Sequence, residues 1–140
     1  MATVLIALFG LSCNAPQENS AATTSPEPTT KNYVALTQRV RQLGALYLAA
    51  EEMQAEDQEQ YGEFHIIFCG KDVGQLTDLE LITPYLERIH NAGGKLFACG
   101  FSLTQFGVDA TDLAPGIEVV ENGITYSLQM KKAGAYSVDQ

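Results

Sequence analysis

Two short segments of this sequence place a thiol where an apolar run stops. Phe64 to Gln75 reads FHIIFCGKDVGQ, and Leu96 to Gln105 reads LFACGFSLTQ. Each has an apolar stretch, then Cys-Gly, then a polar turn suited to opening a helix. Glycine after the cysteine leaves the sulfur uncrowded and permits a tight turn. A cysteine just ahead of a helix N-terminus feels free N–H groups and the positive end of the helix dipole, which favour the thiolate. Cys99 is the first candidate for a functional residue, supported by Gly100 and by Ser102, whose hydroxyl lies close enough in sequence to donate to its sulfur. Cys69 is the second candidate. Two buried structural thiols fit the same pattern, because free cysteine is among the most buried residue types.

Other chemistries find less in the chain. Zinc wants three or four ligands from Cys, His and carboxylate. The available set is Cys69, Cys99, His65 and His90. His65 can share a strand face with Cys69, but four residues at about 3.3 Å each put it too far away to share an ion. His90, beside Asn91, suits a helix end. No metal site is expected, and no cofactor. There is no Gly-rich phosphate loop and no G-x-S-x-G elbow for a serine hydrolase. Asp72, close after Cys69, reads as a helix cap.

Composition narrows the classes further. The 140 residues carry a formal charge of −9, with eight Lys and Arg in all. Those basic residues are scattered, whereas phosphate binding needs them clustered, so nucleic acid is not an expected partner. Glu51, Glu52, Glu56, Asp57, Glu59 and Glu63 crowd together and read as a solvated helix end followed by a loop. Three cysteines are too few for a disulfide scaffold. No apolar run is long enough for a membrane-spanning helix.

The elements that must hold the thiols follow from pattern. Tyr33–Thr37 is β-prone. Gln38 to about Asp57 places Val40, Leu43, Leu46, Tyr47 and Met53 at roughly helical spacing. Phe64–Cys69 is near-continuously apolar, as in a strand covered on both faces. Leu79, Ile82, Leu86 and Ile89 mark a second helical pattern, with Thr83-Pro84 readable as a cap and first helical position that would divide it. Asn91 to Gly94 stops it. Lys95–Cys99 is a third strand and Ile117–Val120 a fourth. The turn Glu121-Asn122-Gly123 precedes a last helix from Ile124 to about Ala133, and Tyr136–Val138 is a fifth strand. Alternating strands and helices predict an α/β fold on a mainly parallel sheet of about five strands. Ligands of such sheets bind beyond the carboxyl ends of the strands, where both body cysteines fall.

The first thirty residues read differently. Ala2 to Leu11 is nearly all apolar, and Ser12-Cys13 follows. Residues 1–13 thus resemble a bacterial lipoprotein signal, in which the cysteine becomes the lipidated first residue. Residues 14–30, NAPQENSAATTSPEPTT, lack the apolar content to offset ordering entropy and read as a tether. The chain is therefore expected to be exported, periplasmic or membrane-tethered through Cys13 alone. A short strand with an incidental cysteine, in a cytoplasmic protein, is the alternative.

Residues 31–140 also resemble a family. The run AGGKLFACGFSL from Ala92 to Leu103, then Phe106-Gly107-Val108, then DLAPGIEVVENG from Asp112 to Gly123, is similar to the DsrE/DsrF-like family. That resemblance implies a three-layer α/β/α sandwich of the YchN type and a homo-oligomer, trimer or hexamer. It implies that Cys99 occupies the position of the persulfide-carrying cysteine of the sulfur-relay branch. Cys69 lies outside the family pattern. Three functions compete on these residues. Cys99 could accept sulfane sulfur and pass it to a partner protein's thiol, as a carrier more than a full enzyme. The fold could be a non-catalytic small-molecule-binding or assembly module, with Phe101, Phe106 and Tyr126 as apolar walls. Cys69 and Cys99 could form a thiol–disulfide couple if their strands are adjacent.

Overall fold

The computed structural model describes residues 29–139. The expected signal with Cys13, and the expected tether up to residue 28, lie outside the described residues. Five strands form one sheet: β1 (Lys31–Thr37), β2 (Tyr61–Phe68), β3 (Gly94–Cys99), β4 (Ile117–Val120) and β5 (Tyr136–Asp139). Their order is β4-β3-β2-β1-β5, and every pairing is parallel. The helices are α1 (Leu43–Asp57), α2 (Leu79–Asn91), α3 (Gly100–Phe106) and α4 (Gly123–Lys132).

Alternation along the strands builds two cores. Ala35, Phe64, Ile66, Phe68, Leu96 and Ala98 point to one face, where they pack on Leu43 and Leu46 of α1, Ile82 and Ile89 of α2 and Leu103 of α3. Val34, Ile67, Cys69, Phe97 and Cys99 point to the other, beneath Tyr126 and Met130 of α4. The result is the three-layer α/β/α sandwich. α4 is the only α-helix among the described residues on its face, because the β4-to-β5 connection passes over the whole sheet.

That crossover sets the functional end. After β3 the chain turns to the first face as α3; after β4 it turns to the opposite face as α4. The carboxyl ends of β3 and β4 therefore flank a topological switch point, where the loops diverge and open a crevice.

Several local expectations need correction. α2 is a single helix with Pro84 inside it, not two. Its true cap is Asp78, whose carboxylate accepts the Leu81 N–H at 3.1 Å. Ile82 and Ile89 are both buried and anchor the helix on either side of the proline. Asp72 caps nothing: Gly70 precedes the 3-10 turn Lys71–Thr77, and Asp72 lies in its first turn. The first helix opens as a 3-10 turn at Val40–Gln42 before α1 proper. Nor is the acidic cluster wholly solvated. Asp57 is buried against Lys31 and the Tyr33 hydroxyl, with the Lys31 and Tyr33 bonds holding its carboxyl below the usual range. Glu63 bonds Lys95 Nζ at 2.7 Å and the His65 ring at 2.8 Å.

Candidate functional site

The structure brings together residues that the sequence keeps apart. β2 and β3 are adjacent and in register, with Ile67 opposite Phe97 and Phe68 opposite Ala98. Cys69 and Cys99 each follow the last of these pairs by one residue. Both side chains belong to the cluster beneath α4. Both are free thiols and both are buried, Cys69 at 8% and Cys99 at 3% exposure.

Cys99 has the richer surroundings. Gly123 donates its backbone N–H to Cys99 Sγ at 3.2 Å. Gly123 is the first residue of α4, and Asn122 caps that helix by accepting the N–H groups of Ile124 and Thr125 at 3.0 and 3.2 Å. The sulfur thus sits on the positive end of a ten-residue helix. The hydroxyl and N–H of Ser102 also act to lower the Cys99 thiol. The hydroxyl oxygen accepts the Gly70 N–H at 2.9 Å, so its own hydrogen is free to point at Cys99. Cys69 adds a fourth donor, its S–H.

These contacts decide which thiol ionises. Burial pushes the Cys99 thiol up, but the donors from Gly123, Ser102 and Cys69 outweigh it and leave the thiol below its ordinary value. Cys69 receives no such set. Burial, then the neighbouring Cys99 charge, then its own hydrogen bond to Cys99 push it up to about 12. Of the pair, Cys99 is the thiol that ionises first, and Cys69 beside it holds its proton.

Two glycines make the arrangement possible. A Cβ on Gly123 would fall 2.5 Å from Cys69 Sγ, 2.7 Å from Ile67 and 3.3 Å from Cys99 Cβ. Only a residue without a side chain lets α4 settle this close to the two sulfurs. A Cβ on Gly100 would lie 3.1 Å from the Val120 carbonyl and 3.2 Å from that of Glu121. The Phe101 N–H donates to the Glu121 carbonyl at 2.9 Å, which ties the two diverging loops together.

The crevice at the switch point is a cavity of about 480 Å³ lined by Gly100, Phe101, Thr104, Gln105, Glu121 and Asn122. Phe101, 62% exposed, is its apolar wall. Phe106 is exposed but does not line it, and Tyr126 lines a neighbouring hollow of about 360 Å³ with Asn122 and Gln129. Among the described residues no group of three or more His, Cys, Asp or Glu is placed to hold a metal ion. His65 is instead bonded to Glu63 through Nε2 and to the Tyr126 hydroxyl through Nδ1, at 2.8 and 2.9 Å. His90 is exposed at the end of α2.

Sequence reasoning missed the role of Gly123. The segment Glu121-Asn122-Gly123 reads as a turn, and the Asn122 cap was the available signal that a helix begins there.

Fold and site together define a three-layer α/β protein with a thiolate-favouring cysteine beside its switch-point crevice. No family model and no curated protein sequence matches the chain. Among solved structures it is similar to MTH1491 from Methanobacterium thermoautotrophicum, a protein of unknown function. The TM-score is 0.64 at 18% identity, over 80% of this chain and 99% of that one. It is also similar to BT1422 from Bacteroides thetaiotaomicron, likewise of unknown function, with TM-score 0.60 at 18% identity over 79% of this chain and 95% of that one. Both likenesses concern the fold.

Proposed function

We propose that this is a sulfur-handling protein of the DsrE/DsrF-like kind, in which Cys99 carries sulfane sulfur as a persulfide. The observation that carries this reading is the Gly123 N–H, at the start of α4, donating to Cys99 Sγ. Sulfur transfer needs a nucleophilic thiolate and a stabilised anion on its product, and little else. The Cys99 thiolate attacks the outer sulfur of a donor R–S–S⁻. A bond forms from Sγ to that sulfur, the donor S–S bond breaks, and RS⁻ leaves. A partner thiolate reverses the step on Cys99 and takes the sulfur away. In this reading the lipoprotein-like leader exports the domain and tethers it through Cys13, and like subunits assemble into a trimer or hexamer.

The test is mass spectrometry after exposure to inorganic polysulfide. The wild-type protein should gain one sulfur atom or show the product of its discharge, and Cys99→Ser should do neither. A wild-type chain whose thiols remain unchanged overturns the proposal. The second reading, a binding or assembly module without chemistry, is favoured by the 3% exposure of Cys99 beside a cavity of about 480 Å³. It expects Cys99 to alkylate slowly and to titrate like an ordinary thiol.

A further inference from the structure

In the carrier reading Cys69 only donates to Cys99, yet it is itself a buried thiol held against the carrier sulfur. Neighbouring strands lie about 4.8 Å apart. A disulfide spans Cα separations of about 4.4–6.8 Å. Cys69 and Cys99 are one step beyond the paired Phe68 and Ala98 on adjacent strands, and both side chains face α4. Gly123 packs on both at once, since a Cβ there would touch Cys69 Sγ and Cys99 Cβ together. The two thiols are thus confined to one small volume.

We propose that Cys69 is a resolving thiol, which discharges the sulfur carried by Cys99 as hydrosulfide and leaves a Cys69–Cys99 disulfide. The inference rests on the carrier reading. When Cys99 holds a persulfide, Cys99–S–S⁻, the charge has moved to the outer sulfur. Cys69 Sγ attacks Cys99 Sγ and a new S–S bond forms between them. The bond to the outer sulfur breaks, and that sulfur departs with the Cys69 proton as HS⁻. The sulfane sulfur is reduced by two electrons and the two protein thiols are oxidised by two. An external dithiol then reduces the disulfide and restores the site. The protonated state of Cys69 suits the step, because the leaving sulfur needs a proton. The site then has two exits for its sulfur: a partner thiol that reaches it, or Cys69 when none does.

The experiment loads the full chain, Cys69→Ser, Cys69→Ala and Cys99→Ser with inorganic polysulfide. Excess donor is removed by gel filtration, after which released sulfide and intact mass are followed. The wild type should release sulfide and end two hydrogen atoms lighter, a change that dithiothreitol reverses. Both Cys69 variants should keep the added sulfur atom and release sulfide at least about tenfold more slowly, as loss of the attacking thiol demands. If the wild type and the Cys69 variants hold persulfide equally, the resolving role falls and the carrier reading stands. If no variant takes up sulfur, both fall. Oxidation of the unloaded wild type with diamide checks the geometry separately: a failure to form the intramolecular disulfide also overturns the proposal.

Discussion

The two Cys-Gly strand ends share a sequence pattern and become opposite environments. After Cys69 the chain needs Gly70 at φ 89°, a left-handed conformation costly for other residues, to enter a 3-10 turn. After Cys99 it passes directly into α3, with Gly100 pressed against the Val120 and Glu121 carbonyls. The larger difference comes from elsewhere in the chain. Gly123 of α4 aims its N–H at Cys99 and not at Cys69. One thiol is drawn down by its donors while its neighbour is pushed up to about 12. The local motif alone therefore does not separate the two thiols; the third element that closes over them does.

Alkylation should show this contrast at its largest. At pH 7 a thiol of pKa about 12 is ionised to roughly one part in 10⁵, while an ordinary free thiol, of pKa about 8.5, is ionised to a few per cent, and Cys99 is shifted toward the ionised side of its ordinary value. The more basic thiolate is intrinsically more nucleophilic, which returns about 1.5 powers of ten. The net expectation is that Cys99 reacts with iodoacetamide about a hundredfold faster than Cys69. Peptide mapping of a time course measures both rates in one sample. The sign with pH follows from the shifts: the Cys99 rate should level off below the ordinary thiol range, while the Cys69 rate should still be rising at pH 10. Equal rates, or Cys69 ahead, would break the comparison.

Much of the framework around these thiols was legible from sequence, and for a local reason. Phe64–Cys69 and Lys95–Cys99 are apolar runs closed by glycine, so their existence, type and end could be read from neighbours in the chain. What could not be read depends on partners distant in sequence. Cys99 and Gly123 are 24 residues apart, and their contact exists only because α4 crosses to the other face. Asp57 looked like one acid in a solvated run, until β1 supplied Lys31 and Tyr33 from 26 and 24 residues away. Pro84 looked like a boundary because local propensity disfavours it inside a helix. Burial of Ile82 and Ile89 overrides that preference.

Substituting Gly123→Ala should erase part of the asymmetry. The added methyl meets Cys69 Sγ at 2.5 Å and Ile67 at 2.7 Å, closer than side chains tolerate, so α4 must lift. Overpacking of this kind costs about 1–3 kcal/mol, readable as a lower urea midpoint. Lifting α4 also withdraws the N–H from Cys99. Its alkylation profile should move to higher pH, toward an ordinary thiol, while Cys69 stays slow. A variant that is destabilised but keeps the wild-type Cys99 profile would show that Gly123 only packs, and that Ser102 supplies the effective donor.

Ser102→Ala is the smaller and more selective change, because Ser102 touches both strand ends. Its oxygen accepts from Gly70, and its hydroxyl hydrogen serves Cys99. Alanine removes both links without adding volume. Losing the acceptor for the Gly70 N–H should cost about 1 kcal/mol, near the typical value of one hydrogen bond. At Cys99 the hydroxyl is one donor among four, and the Gly123 N–H remains. The pH profile of Cys99 alkylation should therefore rise by less than it does in Gly123→Ala, and the two thiols should keep their order. Ser102→Thr retains the hydroxyl and should restore the Cys99 profile, although its extra methyl must fit a buried site. If Ser102→Ala moves the profile further than Gly123→Ala, the controlling contact lies within the Cys99 segment itself. The contrast between the two Cys-Gly ends would then trace to Ser102 on α3, and the crossover of α4 would be secondary.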